Sequence, residues 1–124
     1  MSHTGKLQYH IVWVTKYRRA VLTEEVQERL KFLLSEICKT NGYKLIELET
    51  MDNHVHCFIE TDAKTEINKV ANALKGYTSR HLRKEFKFLT TRLPTLWTRS
   101  YYAGTIGHAS EETVKKYIQH QKRS

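Results

Sequence analysis

The chain reads as an α+β fold of the ferredoxin-like, split βαβ kind: β-α-β-β-α-β with an added C-terminal helix. Strand-like and helix-like apolar patterns follow one another in that order, separated by turn and capping residues. A length of 124 residues, with 40% hydrophobic and 27% charged side chains, suits one domain spanning 1–124. A chain of that size buries enough surface for a core without disulfide staples.

Residues 7–15 are β-branched and aromatic without a turn residue, and predict the first strand. Thr23 is placed to cap a helix that opens on Glu24 and Glu25. Its inner stripe is Val26, Leu30, Leu33, Leu34, Ile37 and Cys38, and Asn41-Gly42 stops it. Tyr43–Met51 and His54–Thr61 read as strands joined by an Asp52-Asn53 turn. Thr65 is expected to cap a second helix running inward through Ile67, Val70, Ala71, Leu74, Thr78 and Leu82. After Pro94, residues 96–103 read as the fourth strand, and Gly104 and Gly107 loosen the chain beyond it. Ser110 with Glu111 and Glu112 opens the last helix, whose face includes Tyr117, Ile118 and Gln121.

The net charge of +8 and pI near 9.6 point to a polyanionic partner, nucleic acid above all. No apolar run is long enough to span a bilayer, and Met1–Gly5 lacks the apolar stretch of a secretory signal. Cys38 and Cys57 fall on apolar faces and read as reduced core residues. A cytoplasmic protein without a membrane partner is therefore expected.

His54 and His56 are two apart on a strand, hence on one face, while Val55, Cys57 and Ile59 take the other. Such a pair either fills polar space or grips a metal ion, and the clean division of faces favours the metal. Tyr117 and Gln121 are four apart on a helix and so are neighbours. Alone they read as a core tyrosine beside a polar side chain. Combined with the histidines, two imidazoles and an amide oxygen would hold a divalent cation, and the tyrosine could attack a phosphorus nearby. Two basic clusters would carry the nucleic acid: Lys16, Tyr17, Arg18 and Arg19, then Lys75, Arg80 and Arg83.

These residues resemble those of the TnpA-type, single-tyrosine HUH transposases of insertion sequences that move as single-stranded DNA. The resemblance rests on ordered blocks across the chain. They are Tyr9 to Arg19, Asn53-His54-Val55-His56, Leu74 to Ser79, Leu96-Trp97, Tyr101-Tyr102 with Gly107, and Tyr117-Ile118-Gln119-His120-Gln121. It implies that His54, His56 and Gln121 bind Mg2+ or Mn2+ and that Tyr117 is the nucleophile. It further implies a homodimer that cleaves and rejoins single-stranded DNA bearing hairpin ends. Rolling-circle initiators share the His-x-His pair but carry lysine where this chain has His120, which favours the transposase branch. A second reading stands beside it: a non-catalytic single-strand-binding module with a vestigial metal site. The full set of His54, His56, Tyr117 and Gln121 favours the enzyme, because a binder needs no nucleophile.

Overall fold

Residues 6–105 and 111–120 are described by the computed structural model. In chain order they form β1 (Lys6–Val14), a 3-10 turn (Lys16–Arg18), α1 (Glu24–Asn41), β2 (Lys44–Thr50) and β3 (His54–Asp62). Then come α2 (Ile67–Glu85), α3 (Lys87–Arg92), β4 (Tyr102–Thr105) and α4 (Glu111–His120). The sheet order is β2-β3-β1-β4 with every neighbour antiparallel, which is the split βαβ topology.

Alternation along the central strands divides the sheet into two faces. Ile11, Trp13, Val55, Cys57 and Ile59 are fully buried in one core with Leu30, Leu33 and Leu34 of α1 and Val70, Ala71 and Leu74 of α2. Both cysteines are free and buried, and burial holds both thiols protonated by raising their pKa. Residues at the alternate positions, among them His10, His54, His56 and Phe58, face the other way.

β2 reaches the same division by a detour. Its pairing with β3 slips between Leu45 and Glu47, so Ile46 is the extra residue of a β-bulge. The bulge reverses the parity of the strand, which lets Leu45 and Leu48, three apart, both pack on the core. By the same reversal Glu47 falls opposite Phe58 and Glu49 opposite His56, on the face away from α1 and α2.

α1 begins and ends as its sequence predicts. The Thr23 hydroxyl accepts from Val26 N at 3.3 Å, and Gly42 (φ 75°) closes the helix in the left-handed conformation. The Asp52-Asn53 turn also forms, closed by Met51 N donating to His54 O at 2.9 Å. α2 starts differently: Glu66 occupies the cap position and makes no side-chain cap bond. Thr65 instead donates its hydroxyl to Asp62 Oδ1 at 3.0 Å, because that carboxylate already gathers the Lys64 and Thr65 amides.

The expected strand over 96–103 is shorter and later. Trp97 makes an isolated bridge to Thr15, and continuous pairing covers only Tyr102–Thr105, running through Gly104. Trp97 is a core residue, edge-on to Trp13 at 5.9 Å, with its Nε1 donating to Thr78 Oγ1 at 3.1 Å. The six residues of α3 lie where only a loop is expected, too short a helix for a periodic signal, with Leu89 turned inward. The predicted Gly107 and Ser110 lie outside the described residues.

Loss of the α1 cap should be felt without disturbing the sheet. Thr23→Ala is expected to lower unfolding stability by about 1 kcal/mol. Urea denaturation should show a lower midpoint at an unchanged slope.

Candidate metal and nucleophile site on the face away from α1 and α2

β3 delivers His54 and His56 to one face with ring centroids 5.0 Å apart. A hydrogen bond orients each ring. His54 Nδ1 lies 2.7 Å from Asn53 Oδ1, an atom that only accepts, so Nδ1 carries the proton and Nε2 keeps its lone pair. His56 Nδ1 lies 3.1 Å from His10 Nε2. With the shared proton on His56 Nδ1, the Nε2 of His56 is likewise open. Outer partners of this kind select the tautomer of metal-ligating imidazoles.

His10 is a buried residue that spacing alone does not single out, because its place beside His56 depends on the β1–β3 register. Its ring stacks on Phe58 at 4.5 Å and meets Tyr102 edge-on at 6.4 Å. Burial is the first cause that lowers the pKa of all three imidazoles; repulsion by His56 adds to it at His10 and by His54 at His56, while at His54 Asp52 opposes it and Arg18 adds to it. Glu49 opposes the shift at each. The rings are therefore neutral near pH 7, the form that binds metal. Among the described residues no group of three His, Cys, Asp or Glu side chains converges. The two imidazoles fit a divalent cation that takes its remaining ligand from elsewhere. The expected third ligand, Gln121, lies outside the described residues.

α4 contacts β1 and brings Tyr117 to the same side of the sheet. The Tyr117 ring is 6.2 Å from that of Tyr102, and its hydroxyl is 3.1 Å from Ser100 Oγ. Burial raises the phenol pKa, and the Ser100 and Thr98 hydroxyls pull it part of the way back. A ladder of rings thus runs His54, His56, His10, Tyr102, Tyr117, joining the histidine pair to the tyrosine on one surface. Ser100, Thr98 and Asn53 are small polar residues in irregular segments, and no periodicity marks them.

The two basic clusters part company. Lys16, Tyr17, Arg18 and Arg19 sit at the end of β1 beside the histidines, close enough for Arg18 to lower the His54 pKa. Tyr17 (φ 58°) and Arg18 (φ 52°) are both left-handed, a backbone state that costs non-glycine residues on the order of 1–3 kcal/mol each. The turn is held by Thr15, whose carbonyl accepts from Arg18 N at 2.8 Å and whose hydroxyl donates to Arg19 O at 2.6 Å. It leaves the Tyr17 ring exposed, with Lys16 Nζ 5.1 Å from its centre. The other cluster lies on α2, whose inner side packs on the opposite face of the sheet. There Arg80 is exposed and Arg83 donates to Leu93 O at 3.1 Å. Lys75 departs from expectation. It is buried, and its ammonium donates to the carbonyls of Thr98, Arg99 and Ser100 at 2.7, 3.1 and 2.9 Å, so it is not part of an open cationic surface.

A split βαβ sheet that offers two oriented imidazoles and a tyrosine on the face away from α1 and α2 has the make-up of a single-tyrosine transposase. The family model described as "Transposase IS200 like" matches residues 3–121, and the chain belongs to that family. It is 34% identical over 122 residues to the ISDra2 transposase TnpA of Deinococcus radiodurans, covering 97% of this chain and 87% of that protein. It is 29% identical over 124 residues to the transposase for insertion sequence element IS200 of Salmonella typhimurium, covering 98% and 81%. Among solved structures, a protein of Deinococcus radiodurans R1 assigned as a transposase superposes with a TM-score of 0.91 at 33% identity, over 100% of this chain and 97% of that one. A REP-associated tyrosine transposase bound to a REP hairpin shares the fold at a TM-score of 0.61 and 12% identity, over 97% of this chain and 66% of that one. The protein is a DNA transposase of the IS200-like family, an enzyme of strand cleavage and transfer. No helix among the described residues is long and apolar enough to cross a membrane.

The imidazole shifts predict how stability responds to acid. The unfolded chain takes up protons near the ordinary histidine value of 6.5, whereas the folded rings, held lower, take them up later. Protons therefore favour the unfolded state below that value, and stability should fall as pH drops from about 7 to 5. Urea midpoints across this window should show the slope, and His10→Gln should flatten it. A wild-type midpoint constant over the window would contradict the assignment.

Proposed function

We propose that this transposase cuts and rejoins single-stranded DNA through a covalent bond between Tyr117 and a 5′-phosphate. The observation that carries the reading is the hydrogen-bonded Tyr117 hydroxyl on the face that also bears the oriented His54 and His56 rings. His54 and His56, with Gln121 four residues after Tyr117 in the sequence, would hold Mg2+ or Mn2+. When bound, that cation neutralises charge on the non-bridging phosphate oxygens as the phosphorus is attacked.

The Tyr117 oxygen forms a bond to phosphorus while the bond from phosphorus to the 3′-oxygen breaks. The phenol proton is lost, the departing oxygen becomes a free 3′-hydroxyl, and the 5′-end stays on the enzyme. Rejoining runs the same exchange with another 3′-hydroxyl, so no nucleotide cofactor is needed. Because burial raises the phenol pKa, the bond with Ser100 matters for orienting the oxygen and easing loss of its proton.

For the nucleic acid, the strained turn beside His54 offers an exposed aromatic ring and cations on the catalytic face, suited to a stacked base and its phosphates. Arg80 and Arg83 on α2 would act on nucleic acid that wraps to the other face. Hairpin ends are the proposed recognition element, supported by the likeness to the transposase bound to a REP hairpin. The homodimer implied by the family resemblance belongs to the same proposal, and sedimentation should find two chains per particle.

Incubation with end-hairpin DNA and Mg2+ or Mn2+ should give a protein–DNA adduct that survives denaturation. Tyr117→Phe should abolish the adduct and leave hairpin binding within about twofold, since one hydroxyl is lost. His54→Ala and His56→Ala should each remove metal-dependent cleavage, as chelator does, with a small effect on folding because neither fills the helix-side core. Wild-type protein that binds hairpins but never forms an adduct would instead be a non-catalytic binder.

Binding should also weaken steeply with salt. For single strands log K falls by about 0.7 per phosphate neutralised for each tenfold rise in salt. Neutralising Arg18 should reduce that slope, whereas Lys75→Met should leave it unchanged because its ammonium is spent on carbonyls.

A further inference from the structure

Between Trp97 and β4 the chain leaves the sheet. Thr98 N donates to Val14 O at 3.1 Å, and pairing resumes at Tyr102 opposite Val12. One residue of β1 is thus matched by three, 99–101, which stand off as an arch with Ser100 at its middle. Such an arch has no ladder to satisfy its carbonyls. α2 supplies the partners from one stripe of its surface. Asn68 Oδ1 accepts from the Tyr101 hydroxyl at 3.0 Å, Thr78 Oγ1 accepts from Trp97 Nε1 at 3.1 Å, and between them Lys75 Nζ takes the three consecutive carbonyls of Thr98, Arg99 and Ser100.

A buried ammonium is a costly way to fill space. No carboxylate lies in ion-pair reach of Lys75 among the described residues, and burial pulls its pKa down to about 8. An apolar side chain would serve packing better. What lysine alone supplies is three donors from one point, converging on three carbonyls of one short segment. Ser100, in that same segment, meets the Tyr117 hydroxyl at 3.1 Å.

We infer that Lys75 is a positioning residue for the nucleophile: by gathering the carbonyls of residues 98–100 it holds the Ser100 hydroxyl against the Tyr117 phenol. The inference rests on Tyr117 being the nucleophile, but the coupling from Lys75 through Ser100 to the phenol is measurable without DNA or metal. Lys75 acts from the far side of the sheet edge and makes no contact with the phenol itself.

The test is a double-mutant cycle on Lys75→Met and Ser100→Ala, read by NMR titration of ring-labelled tyrosine with the Tyr117 signal assigned from the Tyr117→Phe spectrum. Each single variant should raise the Tyr117 pKa by about half a unit to one unit, the worth of one hydrogen bond. The double variant should shift it no further than the larger single, and adduct formation should slow about threefold to tenfold in all three. A residue of purely structural weight would lower stability yet leave the phenol titration alone. An unshifted Tyr117 in Lys75→Met, or shifts that add in the double variant, would overturn the inference. If Lys75→Met fails to fold, Lys75→Gln takes its place; two donors on a shorter arm cannot serve three carbonyls, so a smaller shift of the same sign is expected and none would overturn it. Adducts that persist in Tyr117→Phe would sink the nucleophile reading while leaving the measured coupling intact, so the two failures are distinguishable.

Discussion

The antiparallel ladder between β1 and β3 runs without a break from Lys6 opposite Asp62 to Val14 opposite His54, and these two strands lie at the centre of the sheet. Each of their residues is committed to one face, and a slip of one position would exchange the faces. In the observed register Ile11 meets Cys57 and Trp13 meets Val55 on the helix side, while Val12 meets His56 and Val14 meets His54 on the other. Val12 and Val14 are themselves fully buried, so the imidazoles sit against apolar surface rather than in open water. That apolar flank is why desolvation dominates their pKa values. One pairing thus builds the core, aims the histidines and dries their surroundings.

Much of this was legible in the chain. Val55, Cys57 and Ile59 alternating with His54, His56 and Phe58 announce both faces of β3, and Thr23 with Gly42 marks both ends of α1. The family resemblance along the whole chain agrees with the matched transposase model. What stayed hidden depends on residues far apart in sequence. His10 joins His56 only through strand register, and Ser100 joins Tyr117 only because an arch and a helix meet. Thr65 looked like a cap because local sequence cannot show that Asp62 competes for it. The strand expected at 96–103 failed for a similar reason: aromatic and β-branched content signals burial, and Trp97 is buried, but through core packing rather than a continuous ladder.

Charge shows the same split between what composition and position can say. A net +8 names a class of partner, yet the cations meet different fates. Arg29 is paired with Glu85, Arg83 donates to a loop carbonyl, Lys75 is buried beneath an arch, and the Lys16–Arg19 turn stands beside the histidines. The last of these is also where the backbone is forced into the left-handed region twice in succession. Strain held in place by Thr15 and adjacent to a reactive face is where proteins commonly keep a fixed binding geometry.

The β-bulge at Ile46 makes the acidic side of this site a matter of counting rather than of side-chain identity. Glu47 and Glu49 face the histidines because one surplus residue inverts the alternation upstream of them. Deleting Ile46 alone, with every other residue of β2 kept, would therefore force a choice between seating Leu45 in the core and holding the glutamates on the imidazole face. Substitution scanning, which preserves chain length, would pass over that dependence. Among relatives, length variation in this short strand would mark functional divergence even where the histidines and the tyrosine are unchanged.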